Sequence, residues 1–394
     1  MSSEDTKGLL KILSLDAGGV AGLLNARLLQ RISYSVPDFL KEVDLIAGSS
    51  AGAINALILA QHADPADGVE ACVRLWEEPK LMSNTPWNTL LATFGLSPFI
   101  SADNYRSILS RYIDDRLTLG DMKKNVLITT FDLAAFQGKD RNWQPGLFTS
   151  WGDPNQSALD MAIRAGAAPF LQAIEQGYID GGMFNASPTM SALTELAPLI
   201  GSNEEALRHM HYTTPLSLKT IQDFYDRLST PPKETATSFK SIEQWFKSDA
   251  SQDDILVLSV GTGSKKQFID VSRTEPTNWG YLQWLIPSPL NNFRALASLL
   301  LNAQQDIADD NLKKLDLLWP RLKGYHRLDP SLKYPVLLYS VAPIVAPFLR
   351  EFMTTQLEAE VNKQETRAQV QETIDWLYEK KWSAKSSETS EVTK

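Results

Sequence analysis

Twice within its first 62 residues the chain runs a short apolar segment into small residues and then into a helical pattern. That strand–turn–helix grammar constrains the fold more than any other feature. The first run is LLKILSL (9–15), broken by glycines at 18, 19 and 22, with a helical pattern from about Leu23 to Ile32. The second is VDLIA (43–47), which leads through Gly48-Ser49-Ser50-Ala51-Gly52 into an Ala-rich helix over 51–62. Further buried-strand candidates are VLITTFDL (126–133), GYID (177–180) and ILVLSVG (255–261), with helical stretches such as ALDMAIRAGAA (158–168) between them. Apolar runs alternating with helices predict an α/β fold with a mostly parallel sheet.

Composition narrows the partners. The 394 residues are 43% hydrophobic and 22% charged, enough for a sizeable core. A net charge of −9 argues against nucleic acid and against purely electrostatic docking on anionic lipid. The single cysteine, Cys72, rules out an intramolecular disulfide and is compatible with a reducing compartment. The start of the chain has no signal-peptide pattern, and PVLLYSVAPIVAPFL (335–349) is too short for a span and carries three prolines. The expectation is a cytoplasmic protein, with peripheral membrane contact left open.

Gly48-Ser49-Ser50-Ala51-Gly52 fits G-x-S-x-G with Ser50 at its centre. In that pattern a strand turns sharply into a helix and holds the middle side chain exposed and strained. The following helix directs its positive end at the site, and the Ala51 N–H can serve a developing oxyanion. The plainer account is that small residues let a helix pack close to a sheet.

LDAGGVAGLL (15–24) half-resembles a dinucleotide-binding turn, but Ala17 stands where the first glycine belongs. The second strand ends in Gly48, Ser49 and Ser50 rather than in an acid, and no P-loop signature follows. If the strands of 9–15 and 43–47 are parallel neighbours, the N–H groups of Gly18 and Gly19 face Ser50 and complete an oxyanion hole. A simple glycine-rich turn is the alternative.

A general base is harder to find. Four histidines are present: His62, His209, His211 and His326. His62 lies twelve residues from Ser50, roughly 18 Å along a helix. His209 and His211 are two apart, which does not share a helix face and makes no convincing metal pair. A carboxylate can act instead. GYIDGGMFNASP (177–188) ends an apolar strand in Asp180-Gly181-Gly182, where burial raises a carboxyl's pKa and improves it as a base. Taken alone, these residues suit an Asp-Gly turn better.

In order, the glycine-rich strand exit, G-x-S-x-G and Asp-Gly-Gly resemble the patatin-like phospholipase family. AIRAGAAPFLQAI (162–174), Asn185, Pro188, ILVLSVGTG (255–263) and YHRLD (325–329) extend the similarity over roughly 10–330. The resemblance implies a three-layer α/β/α hydrolase cleaving fatty-acyl esters of phospholipids or galactolipids through an acyl-enzyme. It implies Ser50 as nucleophile, Asp180 as base, and Gly18, Gly19 and Ala51 as oxyanion hole. Gly22, Gly48, Gly52, Gly181 and Gly182 are its motif glycines, and no metal or other cofactor is expected. The expected organisation is a catalytic domain over 8–330, a C-terminal helical extension over 331–382, with a charge-alternating helix at 345–381, and a disordered tail at 383–394.

Two departures stand out. The family pattern Asp-Gly-Gly-Gly-x-Arg/Lys-Gly reads here Asp16-Ala17-Gly18-Gly19-Val20-Ala21-Gly22. Ala17 is tolerable at negative φ. Ala21 removes a charge near the site, which leans towards a neutral-lipid or galactolipid ester. The competing expectations are an esterase or thioesterase for soluble substrates, and a catalytically degenerate scaffold that binds lipid or a partner. The aromatic insertions 84–100 and 279–290 are candidates for an acyl pocket or a bilayer contact, or simply for packing.

Overall fold

The structure, a computed structural model, describes residues 9–137, 140–196, 254–264, 296–319, 322–334, 339, 344 and 347–383. In chain order the main elements are β1 (Leu9–Leu15), α1 (Gly22–Ser35), β2 (Leu45–Ser49), α2 (Ala51–Gln61), α3 (Pro65–Glu77), α4 (Pro86–Thr93), α5 (Ala102–Leu109), β3 (Asn125–Gln137) and β4 (Asp140–Thr149). They continue with α6 (Ala158–Ala165), β5 (Tyr178–Asp180), α7 (Thr189–Leu196), β6 (Asp254–Val260), α8 (Leu296–Leu318), β7 (Leu322–Leu328), α9 (Arg350–Asn362) and α10 (Gln364–Glu379).

Seven strands form one sheet in the order β4-β3-β2-β1-β6-β7, with β5 paired to β3. The run β3-β2-β1-β6-β7 is parallel throughout; β4 and β5 join β3 antiparallel. The strands are apolar on both faces because helices cover both. Leu13, Leu15, Ile46, Val126, Ile128, Leu256 and Leu258 belong to a core shared with α1, α2, α3 and α6. Their neighbours Leu10, Ile12, Leu45, Ala47, Leu127, Ile255 and Val257 face Leu193, Leu196, Leu312 and Leu315 on α7 and α8. This period-two switch makes a three-layer α/β/α architecture.

α2 has no polar face: every residue from Ala51 to Ala60 is buried, as in a helix enclosed between sheet and helices. α3 starts cleanly because the Asp64 side chain accepts from the Ala66 N–H at 3.0 Å and Pro65 takes the first helical position. β2 begins two residues later than its apolar run. Asp44 replaces it in the ladder, its carboxylate accepting the Lys11 N–H at 2.8 Å.

The continuous helix expected over 345–381 is two helices. Lys363, at φ −60° and ψ 147°, separates α9 from α10. Each half buries its own apolar face, with Met353, Leu357 and Val361 on one and Val370, Ile374 and Leu377 on the other. Both sets join the core that holds α1, which one straight rod could not do for both. No helix among the described residues is long and apolar enough to cross a membrane.

Candidate active site

Ser50 sits where β2 turns into α2, at φ 51° and ψ −120°. A non-glycine residue rarely occupies that region, and such strain persists only where the surroundings enforce it. The glycines on either side make the turn feasible. A Cβ on Gly52 would lie 2.1 Å from the Leu15 carbonyl oxygen, and one on Gly48 would lie 2.5 Å from the Ala53 Cα. The Ser50 carbonyl accepts from the Ala53 and Ile54 N–H groups at 2.9 and 3.2 Å, which fixes the first turn of α2. Ala51 is the first residue of that helix, so its N–H has no intrahelical acceptor.

The two adjacent serines differ sharply. Ser49 is fully buried and donates its hydroxyl to the Asn185 carbonyl at 2.7 Å. Ser50 donates its Oγ–H to Asp180 Oδ2 at 2.6 Å. The sheet explains how they meet. β2 runs parallel to β3 and ends with Ser49 opposite Thr129. β5 runs antiparallel to β3 and ends with Asp180 opposite Thr130. Because β4 occupies the other edge of β3 at Thr130, β2 and β5 share one edge and point at each other. Residues 130 positions apart therefore converge at the gap between two strand ends.

Asp180 is held as firmly as Ser50. Its N–H donates to the Ala167 carbonyl at 3.0 Å, and its Oδ1 accepts the Gly182 N–H at 2.7 Å. Burial pushes its carboxyl up to about 6, against the lowering effect of the Ser50 and Gly182 hydrogen bonds. At neutral pH it remains a carboxylate, and its proton affinity exceeds that of an exposed aspartate.

The glycine loop packs on this pair. Ala17 is not among the residues with positive φ, so its methyl is accommodated. Its N–H donates to the Ala186 carbonyl at 2.8 Å, and its carbonyl accepts the Thr262 hydroxyl at 2.7 Å and the Gln305 amide at 3.3 Å. Gly19 has φ 54° and opens a short 3-10 turn. A Cβ on Gly18 would lie 2.3 Å from Thr262 Oγ1, and one on Gly22 would lie 2.7 Å from the Trp76 ring. Gly181 packs on Thr129, and a Cβ on Gly182 would lie 2.9 Å from the Ala17 Cβ and 3.6 Å from that of Ser50. Ser50, Asp180 and the loops carrying Ala17 and Gly182 thus form one cluster.

Neither described histidine takes part in it. His62 Nδ1 is 2.9 Å from the Ile58 carbonyl of its own helix. His326 pairs with the Thr373 hydroxyl at 2.9 Å, stacks on Trp376, and is pushed by burial towards its neutral form. His209, His211 and the segment 279–290 lie outside the described residues.

One buried cation beside the glycine loop was not singled out from the sequence. Arg327, the penultimate residue of β7, donates through Nη2 to Asp16 Oδ2 at 2.7 Å and to Asp329 Oδ2 at 2.9 Å, and through Nη1 to Ser259 Oγ at 3.0 Å. Burial raises the Asp16 carboxyl to about 6 despite this arginine. Burial also works against the Arg327 charge, but the Asp16 and Asp329 carboxylates hold its pKa well above the ordinary value. An arginine inside a strand paired to a core strand was the available signal.

A parallel sheet between helical layers, with a serine–aspartate pair at the C-terminal edge, defines the class as an α/β/α protein of the strand–turn–helix serine type. The family model described as patatin-like phospholipase matches residues 13–193, which contain Ser50 and Asp180. Over that region, a little under half of its length, the chain is similar to patatin-like proteins. Among curated relatives, "Protein teg" of Priestia megaterium is 28% identical over 183 residues, covering 43% of this chain and 52% of that protein. "Putative sporulation hydrolase CotR" of Bacillus subtilis is 27% identical over 190 residues, covering 46% and 56%. "Patatin-like protein 4" of Arabidopsis thaliana is 25% identical over 295 residues, covering 70% and 65%. The chain thus spans little more than half the length of the first two. Among solved structures, VipD from Legionella pneumophila aligns at TM-score 0.33 and 12% identity over 90% of this chain and 66% of that one.

Proposed function

We propose that this protein is a lipid acyl hydrolase that works through a Ser50–Asp180 dyad. The observation that carries the reading is the 2.6 Å hydrogen bond from a strained, elbow-mounted Ser50 to a buried carboxylate. Asp180 accepts the Ser50 proton as Oγ attacks an ester carbonyl. The oxyanion forms beside the N–H groups of Gly18, Gly19 and Ala51. The alcohol departs with the proton from Asp180 and leaves an acyl-enzyme. Water, deprotonated by Asp180, then releases the fatty acid. An ester suits a carboxylate base, because its alkoxide-type leaving group departs more readily than an amine.

The surroundings favour a substrate drawn from an apolar phase. α3 runs back along α2: Gly68 packs on Leu59, and Trp76 Nε1 donates to Asn55 Oδ1 at 2.7 Å, near the start of α2. The segment 84–100 therefore emerges at the Ser50 end of the sheet. The Ile100 N–H donates to the Leu171 carbonyl, four residues beyond the Ala167 that holds Asp180. Trp87, Phe94, Leu96 and Phe170 are 66–86% exposed on these two segments. Neither 84–100 nor 166–174 contains a charged residue. Together they make an apolar rim suited to a neutral or zwitterionic lipid surface. A soluble ester or thioesterase substrate is the second reading, and it leaves that exposure without a role.

The test is fatty-acid release from phosphatidylcholine and galactolipid vesicles, set beside hydrolysis of p-nitrophenyl butyrate. Release that disappears in Ser50→Ala supports the proposal. Turnover that persists in a clean Ser50→Ala preparation contradicts it, and activity on the soluble ester alone favours the second reading.

A further inference from the structure

The loop carrying Gly18 and Gly19 supplies no cation of its own. Ala21 stands at the position of the family's basic residue and is fully buried. The cation arrives from the other side of the sheet. We propose that Arg327 is a positioning residue for the reaction, holding the glycine loop in register with Ser50 by clamping Asp16 to Asp329. The proposal rests on Ser50 being the nucleophile.

Three loops leave adjacent parallel strands at this edge: 16–19 after β1, 261–264 after β6, and 329–331 after β7. Arg327 touches the base of each. Asp16 is the residue immediately before the glycine loop, and its N–H donates to the Val260 carbonyl at 3.2 Å. Ser259 lies opposite Arg327 in the β6–β7 ladder, one pair before its end at Val260. Asp329 Oδ1 accepts the Gly263 N–H at 2.9 Å, and a Cβ on Gly261 would lie 2.1 Å from the same oxygen. Next to this, Thr262 hydroxyl donates to the Ala17 carbonyl. One guanidinium nitrogen, Nη2, thus bridges Asp16 and Asp329 while Nη1 is anchored on Ser259, which sets the spacing of the two carboxylates and, through Thr262, the height of Ala17 and Gly18.

A displacement of that loop would reach the chemistry by two routes. Two of the three N–H groups proposed for the oxyanion, those of Gly18 and Gly19, lie on the loop itself. In addition, Ala17 packs on Gly182, whose N–H is bonded to Asp180 Oδ1. Without the guanidinium, Asp16 at 0% side-chain exposure and Asp329 at 11% become two buried like charges with no cation between them. Buried ion pairs frequently contribute little net stability, so fixed geometry is the stronger reason for an arginine here. Lysine would supply the charge but not two coplanar nitrogens, one for the carboxylates and one anchored on the Ser259 hydroxyl.

Steady-state kinetics on p-nitrophenyl butyrate, with circular dichroism and thermal midpoints as folding controls, test the proposal using the full chain. Arg327→Gln should lower kcat about ten- to a hundredfold while KM stays within about twofold, because oxyanion contacts act in the transition state. Arg327→Lys should recover only part of the loss. A purely structural role would lower the thermal midpoint and the active fraction, titrated by Ser50 labelling, without lowering kcat per active site. A folded Arg327→Gln with wild-type kcat overturns the proposal. If Arg327→Gln does not fold, Arg327→Lys decides, and wild-type kcat in that variant overturns it equally. A wild-type protein whose hydrolysis does not depend on Ser50 would remove the Ser50 reading and this inference together, an outcome separate from a Ser50-dependent enzyme indifferent to Arg327.

Discussion

Replacing Ser50 by glycine should make the protein more stable than replacing it by alanine, although glycine is ordinarily the costlier residue. Both changes remove the hydroxyl and its hydrogen bond to Asp180, so their difference isolates the backbone. At φ 51° and ψ −120° a residue with a Cβ is strained, whereas glycine is not. Sparsely populated backbone conformations cost about 1–3 kcal/mol each. Glycine gives back about 0.5–1 kcal/mol through the greater freedom of its unfolded chain. The net expectation, about 1–3 kcal/mol less about 0.5–1 kcal/mol, is Ser50→Gly more stable than Ser50→Ala by about 1 kcal/mol, and by up to about 2.5 kcal/mol. Urea unfolding of the two variants at one pH, compared by midpoint at equal slope, measures it. If alanine proves equal or better, the elbow is unstrained, and the argument that the fold holds Ser50 in an enforced conformation fails.

Other expectations concern the base, the packing and the rim. Asp180→Asn should cut the acylation rate about 10²- to 10⁴-fold, read as p-nitrophenol release, because general-base assistance is worth about that much. Activity should rise with pH through about 6 as Asp180 ionises. The linked stability runs the other way: a carboxyl raised from 3.8 to about 6 binds its proton more tightly when folded. The Asp180 contribution is therefore greatest below pH 3.8 and is lost as pH rises through about 6; denaturation of wild type against Asp180→Asn across that window should show it. Gly52→Ala, which puts a methyl 2.1 Å from the Leu15 carbonyl oxygen, should destabilise by about 3 kcal/mol or more in urea, since the obstacle is backbone. Leu96→Asp, on the exposed rim, should reduce hydrolysis of vesicle lipid several-fold and leave p-nitrophenyl butyrate turnover unchanged; equal losses on both substrates would contradict a lipid-facing role.

Legibility in the sequence followed locality. The strand end, the glycines and the helix start of the Ser50 turn all lie between Leu45 and Asn55, so they could be read together. The parallel pairing of β1 with β2, on which the oxyanion-hole reading of the glycine loop was conditional, is present. Asp180 was harder, because what matters about it is the shared edge of β3 that brings β5 head-on to β2. No pattern within 177–188 encodes that pairing, and only the order of the motifs along the chain pointed to it. Arg327 was passed over inside YHRLD because its partner Asp16 is 311 positions away and the pair exists only after β6 has placed β7 two strands from β1. The break at Lys363 was hidden for a related reason. Local charge alternation supports a continuous helix, and the demand that both halves reach the α1 core ends it.

The most direct measurement is treatment of the folded protein with a fluorescent fluorophosphonate, followed by peptide mass spectrometry of the adduct. The account predicts one modified residue, Ser50, with labelling lost in Ser50→Ala and slowed in Asp180→Asn. A folded protein that takes up no label, or takes it up on another serine, contradicts it.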